Sequence, residues 1–354
     1  MAYISFQPSA HFQVKTYSGN NTQTAITYDG NSNLQPDLIW AKSRSNTHYH
    51  DWRDTSRGLT KRLFSNDLGA EDTKSASYVS FDSNGFTLGD DGGGSPANTV
   101  NSSSNNYVSL GWKAGGGTTS SNTDGSITST VQANTTAGFS IVTYTGSTDQ
   151  IETVGHGLGV APQVMIFKNR DQGTQGNWAV YMEILGNNKK FLLNTSAASA
   201  NTGNFNSTTP TSSVFTINTA STEVGQSAQT VAYCFAEKKG FSKFGKYTGN
   251  GSADGPFVYT GFKPALVIIR PDAVFNWLML DNKRDPINPR DSYLYPDLTN
   301  AEASDSSYYI DYLSNGFKFR GTQVNANQSG TVYYYMAFAE HPLVTSTGLP
   351  VTAE

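Results

Sequence analysis

Three times along this chain the same series of residues comes round: Tyr-x-Gly, a polar span, Pro, a short apolar run ending in a cation, a turn, then Trp. It starts at Tyr17 ("YSGNN", "LQPDLIWAKSR", "HDW"), at Tyr144 ("YTGST", "VAPQVMIFKNR", "GNW") and at Tyr247 ("YTGNG", "FKPALVIIR", "FNW"). A period of about 100 residues that carries its own turns and apolar runs constrains the fold more than any single motif, because each copy must be one small self-similar unit.

The segments inside each copy read as strands. In "DLIWAK" Leu38 and Trp40 share a face, as do Val164 and Ile166 in "QVMIFK" and Leu266 and Ile268 in "ALVIIR". "SNG" before Phe86 and before Phe317 is a turn signal, since Asn and Gly accept positive φ and the Phe opens a strand. Each copy closes on an aromatic strand: "NNYVSLGWKAGG", "QTVAYCFAEKKG" and "GTVYYYMAFAEHP". No amphipathic helix of useful length interrupts them. Short strands with a turn every ten residues or so predict an all-β chain of three tandem β-sandwich repeats. The boundaries expected are a first sandwich over 1–114 with an N-terminal arm, a linker and strand over 115–137, a second sandwich over 138–241 and a third over 242–354 with a C-terminal tail. Gly115 to Gly125 is linker-like in composition, which predicts that the first unit swings relative to the other two.

Charge bears on function. With 24 Lys+Arg against 28 Asp+Glu the net charge is −4, which argues against nucleic-acid binding, since that needs a basic face. The start, "MAYISFQPSAHFQV", has no basic n-region and no long apolar run, and no stretch approaches about 18 consecutive apolar residues. The expectation is assembly in a cytoplasm without membrane insertion. The one cysteine, Cys234, lies in the strand-like "TVAYCFAE" and reads as a small buried residue.

Catalysis requires a nucleophile with a base, paired acids or metal ligands, and the repeats supply none; neither an enzyme nor a cofactor is expected. His48, His50 and Asp51 in "HYHD" fall short of a metal site because no third ligand is evident. "GHGLG" around His156 reads as a turn, and "DDGGG" at Asp90 is thin support for calcium. The candidate ligand contacts are Trp52, Trp178 and Trp277 with the acids that follow, Asp54, Glu183 and Asp281, and the arginines Arg57 and Arg284. A planar aromatic beside carboxylate and guanidinium suits a sugar ring, through stacking and bidentate hydrogen bonds; the competing reading puts each Trp in a core and each acid–Arg pair at a domain edge. Tyr333 and Tyr335 flank Tyr334 on a strand, so both faces of that strand must be covered, by a central place in the sheet or by another chain; the expectation is that Tyr333 and Tyr335 lie in a subunit interface.

The blocks "GFSIVTYTGSTDQIETVGHGLGVAPQVMIFKNRD", "RDTSRGLTKRLFSND", "SFDSNGFTLG" and "YYYMAFAEHP" resemble a family of marine bacteriophage virion proteins with lectin-like or jelly-roll sandwich domains. The second copy departs from that pattern by reading "ILGNNKK" where the first has its Arg-Gly block. The resemblance implies a non-enzymatic protein on the virion surface, such as a tail fibre or spike that binds host surface glycan or a receptor. Its expected partners are other virion proteins and copies of itself, a trimer if it is a fibre. The alternative is a capsid decoration protein that stabilises the shell.

Overall fold

The computed structural model describes residues 7–90, 100–148, 150–171 and 176–341. The first unit comprises β1 (Phe12–Ser18), β2 (Thr24–Ile26), β3 (Leu38–Ser43), β4 (Asp51–Asp54), β5 (Lys61–Phe64), β6 (Asp72–Thr73), β7 (Tyr78–Asp82), β8 (Gly85–Leu88) and β9 (Asn106–Trp112). After β10 (Ser120–Asn122) and β11 (Ser129–Asn134), the second has β12 (Phe139–Thr145), β13 (Ile151–Gly155), β14 (Val164–Asn169), β15 (Ala179–Met182), β16 (Lys189–Leu192), β17 (Ala200–Asn201), β18 (Val214–Asn218) and β19 (Gln229–Phe235). The third has β20 (Ser242–Thr248), β21 (Phe257–Tyr259), β22 (Leu266–Pro271), β23 (Leu278–Asp281), β24 (Ser292–Tyr293), β25 (Ala303–Ser304), β26 (Ile310–Leu313), β27 (Gly316–Phe319) and β28 (Val332–Phe338). Helix among the described residues is confined to single turns, and no helix there is long and apolar enough to cross a membrane.

One strand order occurs in three places: β1-β9-β3-β4, β12-β19-β14-β15 and β20-β28-β22-β23, antiparallel throughout. The registers agree as well, pairing Leu38 with Trp112, Val164 with Phe235 and Leu266 with Phe338. Beside each main sheet lies a small one, β2-β8-β7, β13-β18 or β21-β27-β26. The hairpins β7–β8 and β26–β27 turn at the two "SNG" sequences, with Gly85 at φ 116°.

Every residue of β3, β14 and β22 is buried, so these strands are covered on both sides. Alternate residues divide between two kinds of core. Ile39 and Ala41 join Tyr17, Phe86 and Tyr107 in a core belonging to the first unit; Met165 and Phe167, and Val267 and Ile269, do the same in the other two. Leu38, Trp40, Val164, Ile166, Leu266 and Ile268 face the other way into one core shared by all three units. At its centre the rings of Trp112, Phe235 and Phe338, each ending its closing strand, form a triangle with centroids 6.3, 5.7 and 5.6 Å apart.

The shared core corrects the expectation of a swinging first unit. The linker is tied down too: β11 extends the second main sheet by pairing with β12, and the Asp37 carboxylate accepts from the amides of Ala114, Gly116 and Gly117 at 2.7–2.8 Å. Chain closure uses Glu340, whose carboxylate accepts from the Val14 amide at 2.9 Å, joining the end of the third unit to the first strand.

Candidate functional site

The strand registers revise the match among the tryptophans. Trp40 pairs with Trp52, Ile166 with Val180 and Ile268 with Met279. Trp52 therefore corresponds to Val180 and Met279, and the counterpart of Trp178 and Trp277 is His50, two residues earlier. A two-residue slip keeps the same face, so Trp52 still points into the shared core, among Trp40, Trp178 and Tyr233 at 4.6–5.1 Å. All three indoles are buried, 0–2% exposed, and present no open face to a sugar.

His50, Trp178 and Trp277 each carry a ring nitrogen to a carbonyl of the neighbouring unit. Trp178 Nε1 donates to Phe64 O at 2.8 Å, Trp277 Nε1 to Leu192 O at 2.9 Å, and His50 Nε2 meets Tyr295 O at 3.0 Å. His50 Nδ1 accepts from Trp40 Nε1 at 2.8 Å, so the proton sits on Nε2 and the ring is neutral. Burial, then the nearby Lys42 charge, holds its pKa well below the ordinary value. Unit two thus docks on unit one, three on two, and one on three, giving a head-to-tail ring that closes within one chain.

Buried charges follow the same cycle. Arg170 grips Glu71 with two hydrogen bonds at 2.7–2.8 Å, and Arg57 bridges Asp54 and Glu71 at 2.5 and 2.9 Å. At the seam between units three and one, Arg44 grips Glu302 at 2.8–2.9 Å, and Arg284 bridges Asp281 and Glu302. Burial opposes the charge on Arg57 and Arg284, yet Asp54 and Asp281 respectively, with further partners, keep both above the usual guanidinium value. The seam between units two and three differs: Ser199 N donates to Asp272 at 3.1 Å, and Arg270 donates to Ala197 O. Met182 stands where Asp54 and Asp281 stand elsewhere. Glu183 is one residue past that position, on an exposed single turn of 3-10 helix, at the rim of a 340 Å³ cavity with Gln163, Ile184 and Phe244. The missing Arg-Gly block of the second copy is thus the place where one seam dispenses with the buried ion cluster.

Sequence reasoning missed Arg44, Glu71, Arg170 and Glu302. A signal existed in "AKSR" and "FKNR", where an arginine follows the strand-ending lysine by two in the first two copies and Asp272 replaces it in the third.

The remaining candidates are placed as follows. Tyr333 and Tyr335 point into the third unit's own core and Tyr334 into the shared one, so β28 is a central strand covered on both faces by this chain, which corrects the expectation that Tyr333 and Tyr335 meet another subunit. His48 and His156 are buried, and among the described residues no group of three or more His, Cys, Asp or Glu is placed to hold a metal. Cys234 is buried, which pushes its thiol up to about 12 and leaves it unreactive. The run after Asp90 lies outside the described residues.

Aromatic surface does occur elsewhere. On the outer side of the third unit's small sheet Phe257 and Tyr259 stand 47% and 60% exposed, the large exposed aromatics among the described residues.

Fold and seams together define a nearly all-β protein built on several antiparallel sheets around a common core. The chain belongs to a family known as a domain of unknown function (DUF7483), which spans residues 7–342 and so takes in all three units. No curated protein and no solved structure matches it.

Proposed function

We propose that this chain is a non-enzymatic surface protein of a bacteriophage particle, in which three tandem β-sandwich modules act as one rigid platform for attachment to host surface glycan or receptor. The observation that carries this reading is the closed head-to-tail ring. Its tryptophans and buried acid–arginine clusters lie between modules, where they fix shape. Fixed shape serves display, because a rigid platform loses little entropy when its outer face engages. Many copies on one particle then turn weak contacts into firm attachment through effective concentration. Resemblance to marine phage virion proteins supports the location, with other virion proteins as partners and the host cytoplasm as the place of assembly.

A decoration role on the capsid is the competing reading, and a body that closes its own ring suits a clamp as well. Cryo-EM of the particle tests both. Density at the tail tip, with antibody against the protein blocking adsorption, supports attachment. Density spread over the capsid lattice supports decoration, and absence from the particle overturns both.

A further inference from the structure

Within the third unit's small sheet, Val258 pairs with the buried Phe317, so Phe257 and Tyr259 on either side of it face outward. Opposite them on the same face lie Lys318 and Gly316, and beyond those Asp311 and Leu313. A Cβ at Gly316 would meet the Val258 carbonyl oxygen at 2.1 Å and the Phe257 ring at 3.1 Å, so the glycine that the strand pairing requires also lets the ring lie across the strand. The charged groups around the rings are paired one to one: Lys318 with Asp254 at 2.8 Å, Arg320 with Asp311 at 2.6 Å.

The other two units supply an internal control. Ile26 pairs with Phe86 and Val154 with Phe215, as Val258 does with Phe317. The flanking residues there are Ala25 and Thr27 in the first unit, both exposed, and Thr153 and Gly155 in the second, where Ser126 and Asn122 lie against them. An exposed aromatic pair therefore stands at one of three equivalent places, where neither core nor seam requires it.

The two rings together expose about 200 Å², from a full aromatic side-chain area of roughly 150–250 Å² each. A stable protein interface needs about 800 Å² per partner, so the patch is too small for one and the right size for one or two sugar rings. We propose that this face is a carbohydrate-contact site, in which Phe257 and Tyr259 stack on the C–H faces of a neutral hexopyranose. Asp254, Asp311, Lys318 and Arg320 offer hydrogen bonds to its hydroxyls. The one-to-one charge pairing selects a neutral sugar over a sulfated or uronic one. The site rests on the attachment reading and gives it a residue-level address.

The test is binding of the full chain to maltoheptaose, cellohexaose and mannohexaose, and to polysaccharide from host cell envelopes, by titration calorimetry. Wild type is compared with F257A, F257A/Y259A and the distant surface variant V160A, each first checked for unchanged melting. The expected result is binding by wild type and V160A and a loss of at least about tenfold, 1.4 kcal/mol, in the double variant. Binding unaffected by F257A/Y259A overturns the site and leaves the attachment reading standing. No binding of wild type to any of these sugars also overturns the site, whereas the attachment reading fails if the protein is absent from the particle, if it is spread over the capsid lattice, or if antibody against it leaves adsorption unchanged.

Discussion

At position 50 a histidine does what tryptophan does at 178 and 277, handing a ring N–H across a seam to the neighbouring unit's carbonyl. Aligning copies by their tryptophans could not find this, because the pattern offered Trp52 only two residues away and on the same face. The acids were legible in part: Asp54 and Asp281 are true counterparts, each holding an arginine, while Glu183 is a near neighbour in sequence with no such role. Asp54→Ala would leave the buried Arg57 without its nearest carboxylate and should cost about 3–5 kcal/mol in chemical denaturation. Glu183→Ala, on an exposed turn, should change stability by less than about 0.5 kcal/mol. Asp297 gives a pH signature. Burial raises its pKa to about 7, although it accepts from the Trp277 amide at 3.1 Å. The folded state therefore binds this proton more tightly than the unfolded chain, and the stability it contributes, complete below about pH 4, is lost as pH rises toward 7. Asp297→Asn should remove that slope, so that by pH 8 the variant gains on wild type by about 2–4 kcal/mol relative to pH 4.

Strands were the most legible elements. "DLIWAK", "QVMIFK" and "ALVIIR" form β3, β14 and β22 with the expected face assignments, because period-two alternation is local information. The strand expected within 115–137 is β11. The behaviour of the linker was not legible, since glycine-rich composition says nothing about a carboxylate waiting at the other end of a strand. Asp37 is that carboxylate, and Thr55 Oγ1 also donates to it at 3.0 Å. Asp37→Ala should free the amides of Ala114, Gly116 and Gly117, raising their hydrogen-exchange rates well above wild type while β9 stays protected. Unchanged rates at those amides would show that the turn holds without the cap.

The whole molecule depends on what covers the second face of each main sheet. Strands apolar on both faces announce that they are central, but the sequence does not say whether the cover is another chain or another part of the same one. Here the three inner faces cover each other, around Trp112, Phe235 and Phe338. Residues 138–241 produced alone would expose Ile141, Ile166, Trp178, Val180 and Tyr233 to water, so that fragment should self-associate or aggregate in size-exclusion chromatography. A well-behaved monomer with dispersed amide resonances would argue against a shared core. The most direct measurement is native-state hydrogen exchange on the full chain, comparing the closing strands β9, β19 and β28. Cooperative packing around one core predicts that their slowest amides open with a single free energy, equal to that of global unfolding. If one of the three strands exchanges about tenfold or more faster than the others, as part of a separate opening, the units are independent domains and the ring is not the structural unit.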